Sequence, residues 1–178
     1  QTQTVAPTSG RAVSGGDRTV WVEWSPISYS GNRGGYEISS KVGGVAPTLR
    51  GCTPSKEVTI FPVTGLEPDQ VFEISLKTFT RPHAKNRNTV LSGQFSLGSI
   101  KAGNTGCTSP VVSVSGVEAP FTLTVTSLHD SFEGSTGETT PGITVRSNEK
   151  AWYWVRATGP GFCDEAAVVA LDPAVDYE

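Results

Sequence analysis

This sequence predicts an all-β fold in two successive modules, and three observations point to it. Apolar residues alternate with polar ones over short runs such as Val20-Trp21-Val22-Glu23-Trp24, and successive strand side chains point to opposite faces. No stretch keeps a helical period. Composition agrees: 36 % of residues are hydrophobic, and 20 Gly and 12 Pro supply turns between Val- and Thr-rich segments. Length is the third observation. A seven-stranded sandwich takes about 100 residues, so 178 residues hold one full module and a shorter one.

In the first module, Val20, Val22 and Trp24 share one strand face and are assigned to the core, while Trp21 and Glu23 point the other way. A polar, glycine-rich loop follows over 28–35, and residues 36–42 alternate again. A short strand is expected at 58–60, a longer one from Phe72 through Ile74 to Leu76, and a closing strand over 90–97. These residues resemble a fibronectin type III module. The strand ending in Trp24 is similar to the family's B strand, residues 36–42 to its C strand, and Leu66-x-Pro68 to the corner into strand F. The resemblance implies a sandwich of immunoglobulin-like architecture that serves outside the cell as a binding or spacing unit. One position departs from the pattern. The family usually has a tyrosine where this chain has Phe72, and its hydroxyl bonds back to the corner. Phe72 supplies only the apolar body, so the corner is expected to be weaker, or closed by another group.

The module boundary is placed at 101/102, giving domains 1–101 and 102–178. In the second domain, 111–114 and 121–125 suit opening strands, and 152–157 is the clearest strand. Tyr153-x-Val155-x-Ala157 and the glycines after it are similar to the family's F strand and FG loop. No tryptophan stands in the B strand and no Leu-x-Pro corner is present, and 131–142 reads as a long loop. The second module is expected to be a shorter Ig-like or fibronectin type III-like sandwich.

That geometry also orders the three cysteines. Cys107, ahead of the second module's first strand, and Cys163, in its expected FG loop, fall at one end and are the disulfide candidates. Closing that loop of about 56 residues contributes at most about 4 kcal/mol in the chain-entropy picture. Cys52 is expected at the end of module one away from module two, unpaired or joined to another chain or segment. Three reduced thiols are the alternative.

Charge is uneven along the chain. Residues 1–101 hold 11 Lys or Arg against 7 Asp or Glu, net +4, and 102–178 hold 3 against 10, net −7, within a whole-chain −3. In the resembled fold the BC and FG loops share one end of the sandwich. Arg33 of the first loop would then join Arg81, Lys85 and Arg87 of the second in a basic end suited to an acidic protein or acidic glycan. Plain solubility explains surface charge as well. Nucleic acid is not an expected partner: four cations release few counterions, and the pI is about 5.4.

Catalytic motifs are missing from the sequence. His83 and His129 stand in different modules, neither beside a recognised nucleophile motif, and no phosphate-binding loop or His-Glu-x-x-His occurs. Asp130, Glu133 and Glu138 do not have the spacing of a calcium loop. No enzyme activity, cofactor or metal is expected. Nor is membrane insertion, since no apolar run approaches about 20 residues. The chain starts at Gln1 and has no Met, as expected after signal-peptide removal or at a chosen boundary, and no Asn meets the Asn-x-Ser/Thr rule. Trp21, Trp152 and Trp154 are expected to cover an inter-module contact or to form an exposed binding strip, with ordinary packing under a neighbouring strand or linker the favoured reading for at least two of the three. The function expected is a non-enzymatic extracellular fragment of a cell-surface receptor or adhesion protein. It would bind a protein or acidic glycan through loops or the module junction. The alternatives are spacer modules of a larger secreted enzyme and a structural subunit of a virus or surface appendage.

Overall fold

A computed structural model describes residues 4–116, 118–159 and 162–173, without the side chains of 162 and 163. The first module runs through β1 (Gly10–Ser14), β2 (Val20–Trp24), β3 (Gly34–Lys41), β4 (Thr48–Cys52), β5 (Ile60–Val63), β6 (Val71–Thr80), β7 (Val90–Leu91) and β8 (Phe95–Lys101). One sheet has the order β1-β2-β5. The other has the order β4-β3-β6, with β7 and β8 both paired to β6. The second module comprises β9 (Val112–Ser115), β10 (Phe121–Val125), β11 (Ser131–Gly134), β12 (Gly142–Val145), β13 (Ala151–Gly159) and β14 (Phe162–Leu171). Its sheets are β12-β10-β9 and β11-β13-β14. Both modules are β-sandwiches, and the first has the fibronectin type III-like order, three strands against a larger sheet built on β3 and β6.

Period-two alternation sets the core. Val20 and Val22 are fully buried and Trp24 is nearly so, and they meet Tyr36, Ile38, Ile74 and Leu76 from the opposite sheet. Trp24 and Tyr36 pack edge to face, with ring centroids 5.2 Å apart. The Tyr36 hydroxyl donates to the Lys56 carbonyl at 2.9 Å and accepts from the Ile27 amide at 3.2 Å, so its polar tip is satisfied inside the core. Gly51 leaves room for the Phe61 ring, which a Cβ there would meet at 2.2 Å. In the second module Phe121, Leu123 and Val125 turn inward by the same alternation and meet Ile143, Tyr153 and Val155.

Several expectations move. The strand read at 58–60 lies at Ile60–Val63, and Pro62 sits inside it because β5 is a sheet edge, where a missing N–H breaks no ladder. The closing strand read as 90–97 is split into β7 and β8. Ser92 bridges the gap: its amide donates to Thr78 O and its Oγ accepts from Thr78 N. The segment read as a long loop over 131–142 contains β11, which pairs with β13. Its four residues hold one large apolar side chain, Phe132, too few to show a period. Residue 163 falls within β14 and not in a loop.

The corner before β6 is closed by another group, Arg18. Its Nε donates to Leu66 O at 2.8 Å, its carbonyl accepts from Leu66 N at 3.0 Å, and its Nη2 reaches Glu67 Oε1 at 3.0 Å. Arg18 adopts a left-handed backbone with φ of 53°, which is uncommon outside glycine. Phe72 is buried beneath this plug.

Candidate functional site

Arg33 directly precedes β3 and Arg81 directly follows β6, and the pairing of Gly34 with Thr80 sets the two side by side. The Arg81 amide donates to Arg33 O at 2.8 Å, closing the pair of loops. Both guanidinium groups turn to the second module. Arg33 Nη1 donates to Glu149 Oε1 at 2.6 Å. Arg81 Nε stands 2.8 Å from Glu149 Oε2 as an ion pair without hydrogen-bond alignment, and its Nη2 donates to Lys150 O at 3.1 Å. Arg81 also lies over the Phe79 ring. Beyond them, the His83–Asn86 bridge pinches the β6–β7 loop; Lys85 stands exposed within the turn it closes and Arg87 stands exposed just after it.

The opposite end of the first module carries a second attachment. Glu165 of β14 is buried, and both its oxygens lie within hydrogen-bond distance of the Asp17 amide, at 2.9 and 2.8 Å. Thr105 Oγ1 donates to it at 3.1 Å. Asp17 lies in the β1–β2 turn, which the connection also grips: Arg18 N donates to Gly103 O at 2.7 Å, and Gly106 N to Asp17 Oδ1 at 3.0 Å. Because β2 separates this turn from the Arg33 loop, the second module touches both ends of the first. The two sandwiches follow one another in sequence but lie side by side.

Between the two ends runs an aromatic seam. Trp21, pointing out of the first core, meets the edge of Trp154 with ring centroids 5.1 Å apart. Arg156 lies 4.8 Å over the Trp21 ring and is held by Asp164, with Nε to Oδ1 at 2.6 Å. That hydrogen bond is the main reason the Arg156 guanidinium titrates even higher than usual. Trp154 is only 3 % exposed and belongs to the first module's core cluster, against which Trp152 and Val168 also pack. The tryptophans therefore cover the inter-module contact.

Clefts open beside the seam. One of about 260 Å³ is lined by Arg11, Gly15, Trp21, Glu23, Arg156 and Asp164 among others. Another of about 240 Å³ is lined by Glu37, Cys52, Phe79, Arg81, Lys150 and Trp152. Cys52 thus faces the second module, contrary to its expected place at the far end, because the modules are folded back on each other. It is a free thiol, and burial, with a further push from Glu37, raises its pKa to about 12. Cys107 is disulfide-bonded; the side chain of its expected partner, Cys163, lies outside the described residues.

Lys56 is another group that strand patterns did not single out. It is buried, its Nζ donates to Thr80 Oγ1 at 2.9 Å, and burial lowers its pKa. Among the described residues, no three His, Cys, Asp or Glu are grouped to hold a metal ion. His129 makes a local contact with Ser127 Oγ at 3.2 Å. No helix among the described residues is long and apolar enough to cross a membrane.

The sequence reading named Arg33 and Arg81 but missed Glu149, Glu165, Arg18 and Lys56. The acidic excess of residues 102–178 was the one available signal for the two glutamates, and it does not say which acids are used. No protein-family profile and no curated protein matches the chain. Among solved structures, the chain is similar to the FN1-FN3 domains of chicken CNTN1, with a TM-score of 0.44 and 15 % identity over 94 % of this chain and 67 % of that one.

Proposed function

We propose that the chain is a non-enzymatic extracellular fragment of a cell-surface receptor or adhesion protein, and that it takes an acidic protein partner at the basic end of its first module. The observation that carries this reading is the β6–β7 tip. Lys85 and Arg87 are exposed there, and neither forms an ion pair among the described residues. The His83–Asn86 bridge closes the turn that carries Lys85, with Arg87 next to it, and such loops between paired strands are suited to recognition. Rim charges of this kind act chiefly on association rate and salt dependence.

The test is a pull-down from a cell-surface protein extract with the wild-type chain and with Lys85→Ala/Arg87→Ala. Recovery is expected to fall about tenfold in the variant at about 0.15 M salt. Equal recovery by the two proteins rejects the basic tip as the binding element.

A further inference from the structure

Glu149 occupies the basic end as a ligand would. Its carboxylate sits between Arg33 Nη1 at 2.6 Å and Arg81 Nε at 2.8 Å, while Arg81 Nη2 takes the carbonyl of the next residue, Lys150, at 3.1 Å. Ser147 Oγ accepts from the Glu149 amide at 3.1 Å and orients the loop. Arg33 and Glu149 also line a cleft of about 190 Å³ with Asn32, Glu57 and the buried Lys56, while Arg81 lies outside it. Two guanidinium groups converging on one carboxylate favour an anion at this place. Arg33 keeps 74 % of its side chain exposed and Arg81 23 %, so an outside group reaches the fork from the Arg33 side.

We infer that Arg33 and Arg81 form a carboxylate-binding fork masked in cis by Glu149, and that an acidic peptide segment of a partner binds by displacing it. The inference rests on the proposal that this end of the module takes acidic partners. A peptide is assigned in preference to a glycan because the fork reads two groups that a polypeptide carries together, a Glu carboxylate and the following backbone carbonyl. An internal competitor lowers apparent affinity by the fraction of forks left free. The second module then acts as an inhibitor of the first, holding the site shut until a partner of higher local charge arrives.

The test is fluorescence anisotropy with a fluorescein-labelled peptide of alternating Glu and Gly, on the full chain. Glu149→Gln keeps the shape of the loop and removes the charge. It is expected to tighten peptide binding about tenfold. Adding Arg33→Ala should erase that gain. Glu165→Gln loosens the module contact at the other end without freeing the fork, and is expected to give no gain.

Unchanged affinity in Glu149→Gln overturns the inference, as does an equal gain in Glu165→Gln, which would trace the effect to module opening. A gain seen with a heparin oligosaccharide and not with the peptide overturns the peptide assignment. Should Lys85→Ala/Arg87→Ala lose its partner while Glu149→Gln is silent, the functional proposal stands and this inference falls. The opposite pair of results keeps the fork and removes the tip.

Discussion

The two modules share an inward triad on their second strand, Val20, Val22 and Trp24 in one and Phe121, Leu123 and Val125 in the other, yet they spend their aromatic residues differently. The first turns Trp24 inward, against Tyr36. The second keeps Tyr153 for its own core and sends Trp154 into the neighbouring cluster. Among the described residues its own buried cluster is the smaller, nine against fourteen, and one of those fourteen is Trp154. A sandwich of fewer residues buries a smaller share of its surface. The second module is short and gains burial by leaning on the first.

If that asymmetry holds, substitutions should separate the modules by size of effect. Trp24→Ala is expected to be the most damaging, at about 3 to 5 kcal/mol, since it empties the centre of the self-contained core. Calorimetry should show both modules melting earlier, because the second loses its support. Two well-separated transitions, with the later one at the wild-type temperature, would break the dependence. Trp154→Ala should cost about 3 kcal/mol and lower the same transition. An exposed binding strip would instead give a change within about 0.5 kcal/mol. Arg18→Ala acts on the first module alone and is expected to cost about 1 kcal/mol, the value of a hydrogen bond to a corner carbonyl. Chemical denaturation would show this as a lower midpoint at unchanged slope.

Charge shows a similar contrast. The opposite signs of the two halves do not merely keep each soluble. Glu149 of the acidic half pairs with Arg33 and Arg81 of the basic half, so half of the four expected binding cations face inward. Glu165 uses its charge differently, meeting a backbone amide and a threonine hydroxyl in place of a cation. An exposed pair such as that of Arg33 contributes about 0 to 1 kcal/mol, whereas Arg81 and Glu149 are only 23 % and 27 % exposed. The seam therefore depends on Trp154, the buried Glu165 and the half-buried Arg81–Glu149 pair more than on Arg33, whose exposed arm is the one placed to exchange partners.

Strand faces were legible where alternation ran for five residues, as in β2, whose inward positions match the expected ones. The pattern failed where its period was too short to register, as in β11, or where a residue usually read as a breaker sat on an edge, as Pro62 does in β5. It named Arg33 and Arg81 as neighbours because the fold places their two loops at one end. It did not name Glu149, which comes from 116 residues away.

What the sequence by itself determined is the all-β class, the inward face of β2 and the sign of each module's charge, because these follow from local spacing and composition. Tertiary structure alone decided that the modules lie side by side, that Arg18 plugs the corner Phe72 leaves open, and that Glu149 and Glu165 fasten the two ends. Those outcomes depend on groups up to 148 residues apart, whose meeting is set by surface complementarity between finished sandwiches and leaves no local period to read.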